Sequence, residues 1–597
     1  MGRSIAGKVF PVHIMTGRRF RTVCLHWRSW PFLAALVLSN SFLLAEHADL
    51  VLHNGNILTV DTNFTQATSL AIKDGKVLAV GTHSKVRPFI GETTALLDLQ
   101  GQTVLPGLIE THVHAIGAGL AALNTAYVEL TSIAEIQNWL KTETRQHPPG
   151  TWIRVPRADI TRLAERRHPT PQELDRASPL HPVVFTAARK NVLNTLAFQK
   201  LGITNDTERF DGGNVIFDRS GKPMMLTGGN NEIRKQFPAP VYSQSQRQES
   251  LLAMHRRYNA VGITSIFERA NNKAGYLLYT QLHEAGKLTL RSTHTIRQQF
   301  RSADQVASFT ASLGLMTGQG NDWVRVGPLK ITVDGGIHWG TTHLREPYGP
   351  RRIRFYALNG IQEPAWQGNL SYPVDLMTDI FRAGHKLGWQ MCCHVTGDAG
   401  VDKVLEALEK ANRDIPLTTR RFTLTHAYFP ALDSIKLAQR LGVCVDTQPY
   451  LYYKDSAAMA EVYGPRWAER FIGLGDWMRG KVPTAINSDH MIGTDPNHSM
   501  NSFNPFLLMS IAIRRQNDQG KVLGSRQKIS RQDAIRSYTS TAAYLSFDEA
   551  RKGALEPGKL ADLIIINRDI LTCPEDEIKD IRVLKTMVGG KFVYSRD

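Results

Sequence analysis

Apolar residues in this chain come in short runs punctuated by glycine or separated by stretches of helical period. The two textures are unevenly distributed. At the front, ADLVLHNGNILTV, SLAIKDGKVLAVG and TALLDLQGQTVLPG alternate apolar and polar positions around Asn-Gly and Asp-Gly pairs, a strong hairpin signal. KLADLIIIN and VLKTMVGGKFVYS near the C-terminus share that texture. The pattern predicts a composite β-sandwich assembled from both chain ends, residues 46–105 and 553–597. Between them, residues 106–552 alternate apolar runs with segments such as VDKVLEALEKANR (401–413) and LDSIKLAQRLG (432–442), whose period is helical. The apolar runs are TVLPGLIETH, then 182–188, 262–268, 326–334, 389–394, 422–426, 443–448 and 482–489. Eight strands alternating with helices predict an α/β fold, a closed (β/α)8 TIM barrel. The long gap after the first run predicts a helical insertion there.

Composition narrows the class. Over 597 residues, 42% are hydrophobic and 21% charged, as in globular proteins. The net charge of +17 raises the question of nucleic acid, but residues 1–45 hold six basic residues and no acid. The remaining excess is spread out, without the basic blocks or aromatic-interleaved motifs of nucleic-acid binders, so it reads as a solvated basic surface. In the same 45 residues, RRFRTVCLHWRSW precedes the apolar stretch PFLAALVLSNSFLLA. That stretch is shorter than the ~20 residues of a spanning helix and suits a signal peptide, with an uncleaved anchor as the alternative. The expectation is an exported protein, periplasmic or secreted, touching membrane only through this segment if it is retained. The five cysteines form neither a disulfide framework nor a CxxC knuckle.

Candidate chemistry lies where the runs end. In a (β/α)8 barrel the active site occupies the carboxyl ends of the strands. The stretch LPGLIETHVHAIGAG places His112 and His114 two residues apart, on one face of a strand. Lys330 sits inside the fourth run, His394 ends the fifth, His426 the sixth and Asp489 the eighth. Each alone reads as an ordinary strand-end residue. Together, four imidazoles and a carboxylate suit a divalent metal, especially zinc. Lys330 cannot ligate as an ammonium ion. It either pairs with a neighbour such as Asp334, or is a neutral amine that captures carbon dioxide as an anionic, bidentate carbamate. Weaker candidates for substrate contact are His343 and Arg345, with His338, after the fourth run, and Tyr450, with Tyr452 and Tyr453, after the seventh. Trp152 and Trp339 are candidate pocket walls, and His490 and His498 read as loop residues.

These residues carry a resemblance. PGLIETHVH, the fourth-strand lysine, the two later histidines and SDH resemble the amidohydrolase superfamily. GTWIRV, RRHPTPQELDRASPLHPVV, LKITVDGGIHWGTTHLREPY, HVTGDAGVDKVLEALE, INSDHMIGTDPN and GALEPGKLADLIIIN resemble its amidohydrolase-3 branch, the YtcJ-like proteins related to N-substituted formamide deformylase. The likeness spans about 48–597. It implies a binuclear site, with His112, His114 and Asp489 on one divalent ion, His394 and His426 on the other, and carboxylated Lys330 bridging them. It also implies that a metal-bridging hydroxide attacks a carbonyl carbon, with Asp489 passing its proton to the leaving nitrogen. The implied activity is a metal-dependent hydrolase acting on a non-peptide carbon–nitrogen bond of a small molecule. The same site would also open a lactone or ester, and a homodimer is an admissible assembly. A binding protein on a degenerate barrel is the rival from another class, and the complete set of six metal-type residues argues against it. The chain departs from the branch at AARKNVLNT, with Asn191 where relatives carry histidine, and at GKPMMLTGGN. Both stretches border the substrate side.

Overall fold

The eight-stranded sheet at the centre is built in chain order from β1 (Leu108–Val113), β2 (Ile263–Asn271), β3 (Arg291–Arg297), β4 (Val324–Thr332), β5 (Met391–Val395), β6 (Thr423–His426), β7 (Cys444–Thr447) and β8 (Thr484–Ile486). All neighbours in it pair in parallel. Val113 bridges in parallel to His490, just past β8, which brings the last edge round to the first. The computed structural model describes residues 47–124, 126–358 and 365–596. The segment expected to direct export, 1–45, lies outside them. Among the described residues no helix is long and apolar enough to cross a membrane.

Parallel sheets need cover on both faces, and β1, β6 and β7 are buried along their whole length. The helix Asp398–Asn412 turns Val401, Val404, Leu405, Leu408 and Ala411 inward at helical spacing. They share a core with Met377, Ile380 and Phe381 of the neighbouring helix Val374–Lys386 and with Cys393 of β5. At roughly 1.5–3 kcal/mol per fully buried aliphatic side chain, Val404, Leu405 and Leu408 alone favour this docking by about 4.5–9 kcal/mol before entropy.

The structure corrects the strand assignment in two places. The apolar run at 182–188 is not the second barrel strand. Val183–Ala187 pairs instead with Ile153–Arg154 and Lys190–Leu193 in a separate six-stranded sheet. An apolar run of this length fits a buried strand in any sheet, and pattern alone cannot say which. The barrel strand that the pattern passes over is β3, RSTHTIR, whose first six residues are all buried despite their polarity. Arg291 is paired with Asp562 at 2.7 Å, and His294 with Ser292 at 2.9 Å. The insertion between β1 and β2 therefore carries a sheet as well as helices such as Ala115–Asn124 and Gln244–Ala260.

The run TVLPGLIETH divides between two sheets. Thr103–Pro106 belongs to the sheet made by the chain ends, where Leu563–Ile566 lies antiparallel beside it. Gly107 makes the crossing, because a Cβ there would lie 2.2 Å from Thr264 Oγ1. Leu52, Leu70 and Ile72 of a four-stranded sheet pack on Val104, Leu563 and Met587 of the six-stranded one. Two sheets sharing one apolar core make the expected sandwich.

Candidate metal centre

Barrel closure and the candidate site occupy the same place. Between Glu110 and Val113, β1 advances three residues while β2 advances two, from Ile266 to Glu268, which marks a bulge. Bulges re-aim side chains beside functional sites. His114 N–H then donates to the His490 carbonyl at 2.9 Å, locking the end of β1 to the segment after β8. Across this seam His112 Nε2 and His114 Nε2 lie 3.3 and 3.2 Å from Asp489 Oδ1. The three side chains offer ligand atoms all within 4.8 Å of one another. Asp489 and His426 both have positive φ, +52° and +84°. Such backbone costs of order 1–3 kcal/mol per residue and persists where its surroundings enforce it.

The other two histidines stand against the same group. The His112 and His426 rings are 5.3 Å apart, and those of His394 and His426 4.4 Å. Their hydrogen bonds decide which nitrogens remain for a ligand. His394 Nε2 faces the Gly335 carbonyl at 2.8 Å, an acceptor only, so Nε2 carries the proton and Nδ1 is left with its lone pair. Gln448 Nε2 donates to Asn487 Oδ1 at 2.9 Å, so its Oε1 accepts from His426 Nδ1 at 2.8 Å and His426 Nε2 is left. A second hydrogen bond of this kind fixes the tautomer of a metal-binding histidine. Burial pushes His112 and His394 well below the usual histidine range and His426 down to about 4. The rings are thus neutral, the form that binds metal. Burial opposes ionisation of Asp489, but the His114 hydrogen bond, with the nearby His114, His426 and Lys330, outweighs it and holds its carboxyl below the usual range.

Lys330 is buried on β4, and among the described residues it forms no ion pair within 4 Å. The alternative pairing with Asp334 is not made. Asp334 instead accepts from the backbone N–H groups of Thr396 (2.9 Å), Gly397 (2.8 Å) and His343 (3.2 Å). Burial, reinforced by Arg269, lowers the Lys330 pKa, with Cys392, Asp489 and Asp446 opposing. Beneath the cluster runs a buried polar chain that sequence reasoning missed. Arg269 on β2 donates to Asp446 Oδ2 on β7 at 2.5 Å and to the Thr111 carbonyl at 2.7 Å. The Thr111 hydroxyl and the Asn487 amide bond to Asp446 Oδ1, and Asn487 continues to Gln448 and His426. Glu110, pushed up to about 8 by burial, accepts from the Ser488 N–H at 3.0 Å and the Tyr538 hydroxyl at 3.3 Å. These bonds tie the residues flanking His112 and Asp489 to a rigid frame.

All six metal-type residues, His112, His114, Lys330, His394, His426 and Asp489, line one cavity of ≈ 290 Å³. Their donors suit a divalent ion of zinc type: neutral nitrogens, a carboxylate and a partnerless lysine. Of the weaker candidates, His343, Arg345, Tyr450, Tyr452 and Tyr453 do not line it. Arg345 is held by Asp402 at 2.6 Å and by Asp433 at 3.0 Å. His343 contributes its backbone to Asp334, and Tyr450 is buried beside Tyr453. Trp339 and His338 do line the cavity, whereas Trp152 packs on Phe237 elsewhere. His490 is buried, bonded to Tyr258 at 2.8 Å. Of the two stretches expected to border the substrate side, AARKNVLNT does so through Arg189, while Asn191 bonds to Thr186, Gly228 and Asn230 within the insertion and GKPMMLTGGN does not line the cavity. Missing from the sequence reading were Arg157, Arg189, Arg297, Tyr428, Met491 and Met500, all lining residues. Tyr428, two residues past His426, was within reach of a closer reading. Arg297 was lost with β3.

Histidines and an aspartate gather at the carboxyl ends of an eight-stranded parallel barrel, and the comparisons place a chain of this kind among the hydrolases. Residues 95–594 match the model of the amidohydrolase family, and the chain belongs to that family. It is 26% identical over 571 residues to N-substituted formamide deformylase of Arthrobacter pascens, covering 93% of this chain and 99% of that one. It is 23% identical over 557 residues to the putative amidohydrolase YtcJ of Bacillus subtilis (strain 168), covering 91% and 99%. In fold it is similar to the crystal structure of an uncharacterized metal-dependent hydrolase from Pyrococcus horikoshii OT3. That match has a TM-score of 0.63 and 22% identity and covers 88% of this chain and 99% of the other.

Proposed function

We propose that the chain hydrolyses a carbon–nitrogen bond in a small non-peptide amide. The observation that carries this reading is the convergence of six metal-type side chains from five barrel strands and their ends on one cavity, with the ligand atoms of His112, His114 and Asp489 within 4.8 Å of each other. His112, His114 and Asp489 would hold one divalent ion, and His394 Nδ1 with His426 Nε2 a second. Lys330, buried and without an ion-pair partner, is suited to add carbon dioxide: the amine nitrogen bonds to carbon, one proton leaves, and an anionic carbamate remains to join the two sets. Zinc is the ion that this donor set favours. Such ions supply Lewis acidity and lower the pKa of water towards neutrality.

The remaining work falls to protein groups. Asp489 stands where it can accept a proton from the attacking water and return it to the leaving nitrogen. Gln448 keeps His426 in one tautomer. The similarity to a protein named for deformylating N-substituted formamides supports an amide over an ester. A panel of small amides, lactones and esters tests the reading on metal-loaded protein. Amides should turn over best, and Asp489→Asn should lose about 10²–10⁴-fold in kcat while keeping its fold. Faster turnover of lactones, or wild-type rates in Asp489→Asn, would overturn it.

A further inference from the structure

The rim of the cavity carries three guanidinium groups with no acid to answer them. Arg157, Arg189 and Arg297 all line the cavity, and among the described residues none has a carboxylate within 4 Å. Their contacts are weak: Arg157 meets Met491 Sδ at 3.4 Å, and Arg297 meets Thr332 Oγ1 at 3.4 Å. Arg189 lies over the Trp339 ring at 4.6 Å. Arg189 is exposed on its outer side, and partial burial shifts its guanidinium downward with no acid raising it. The lining carboxylates are engaged elsewhere. Asp489 faces the histidines, and Asp334 is saturated by backbone N–H groups. Asp159 stands beside Arg162, which is itself bonded to Asp455 at 3.1 Å.

Arg189 is also kept at a cost. It and Ala188 form the two-residue turn between the strands Val183–Ala187 and Lys190–Leu193, with φ of +59° and +48°. Two positive φ values in a hairpin turn call for Asn-Gly, and an arginine there is strained. The turn belongs to the insertion, yet its arginine reaches the barrel mouth and stacks on Trp339 from the loop after β4. A strained residue held at a cavity points to a function for its side chain.

We propose that this rim is an anion subsite, and that the substrate carries a carboxylate gripped by Arg189 and Arg297, with its apolar body against Trp339 and Leu451. Guanidinium groups pair with carboxylates bidentately, which gives direction as well as attraction. That the ligand is an amide rests on the hydrolase reading above; the anion subsite is tested apart from it.

The test is calorimetric binding of 4-phenylbutyrate and its neutral twin 4-phenylbutanol to the metal-loaded, full-length protein. The acid should bind about tenfold or more tightly. In Arg189→Gly, which the turn tolerates, and in Arg297→Gln, that ratio should fall several-fold towards one. Arg189→Gly should melt no lower than the wild type. Equal affinities in the wild type overturn the proposal. So does an acid preference that survives both substitutions, because the acid would then be held by metal. Tighter binding of phenyl phosphate than of the acid overturns the carboxylate assignment. A protein that binds the acid through Arg189 but cleaves no amide keeps the subsite and loses the hydrolase reading.

Discussion

Replacing Arg269 with methionine removes the charged centre of the frame under the metal-type cluster. The guanidinium is 1% exposed, its partner Asp446 is fully buried, and the two meet at 2.5 Å. The substitution leaves the Asp446 carboxylate with only the Thr111 hydroxyl and the Asn487 amide, and leaves the Thr111 carbonyl without its 2.7 Å donor. Stranding one half of a buried ion pair costs about 3–5 kcal/mol. Burial already raises the Asp446 pKa with Arg269 present, and without the guanidinium to oppose it the pKa rises further. A folded-state pKa above the unfolded value means that folding binds a proton between the two. Stability of the variant therefore rises as pH falls through that window, by about 1.4 kcal/mol per unit. Urea denaturation followed by tryptophan fluorescence at pH 7 and pH 5 measures both quantities. The penalty should be large at pH 7 and smaller at pH 5. Arg269→Met combined with Asp446→Leu should recover at least half of it, since an apolar pair often replaces a buried ion pair without loss. A single-variant cost below about 1 kcal/mol, or one independent of pH, would refute the reasoning.

Two further outcomes follow from individual contacts. Gln448→Leu leaves His426 Nδ1 with only the Tyr428 hydroxyl at 3.4 Å, so metal affinity in a chelator competition should fall about 10–100-fold with the fold unchanged; unaltered affinity contradicts the tautomer argument. His385, which donates to the Trp389 carbonyl at 3.1 Å, is lowered by burial to about 4, against an unfolded value near 6.5. Between those values the unfolded chain binds a proton that the folded chain refuses. The wild type should therefore lose stability relative to His385→Phe by about 1.4 kcal/mol per pH unit on acidification from 6.5 towards 4. A difference that stays constant over that range would contradict the assignment.

What the sequence made legible follows from where burial leaves a local trace. A strand such as MCCHV is apolar up to its histidine, so both the strand and its functional end stand out. RSTHTIR left no such trace, because its buried polarity is answered within the strand by Ser292 and from far along the chain by Asp562, a partner that only the folded chain brings near. PVVFTA misled for the opposite reason: it is as apolar as a barrel strand but is buried inside the insertion. At the site, the six metal-type residues were readable because metal chemistry restricts the residue types at each strand end. The cavity rim was not. Arg157 and Arg189 come from the insertion and Arg297 from the overlooked strand, and nothing local marks an arginine whose neighbour is Trp339 or Met491. Arg345 looked equally eligible, yet Asp402 and Asp433 hold it outside the cavity.

The central claim is that these six residues form a metal centre, and metal content per chain tests it most directly. Protein purified without chelator should carry close to two divalent ions of zinc type per chain, falling sharply in Lys330→Ala. A chain that holds none, even after reconstitution with zinc and bicarbonate, would contradict the account.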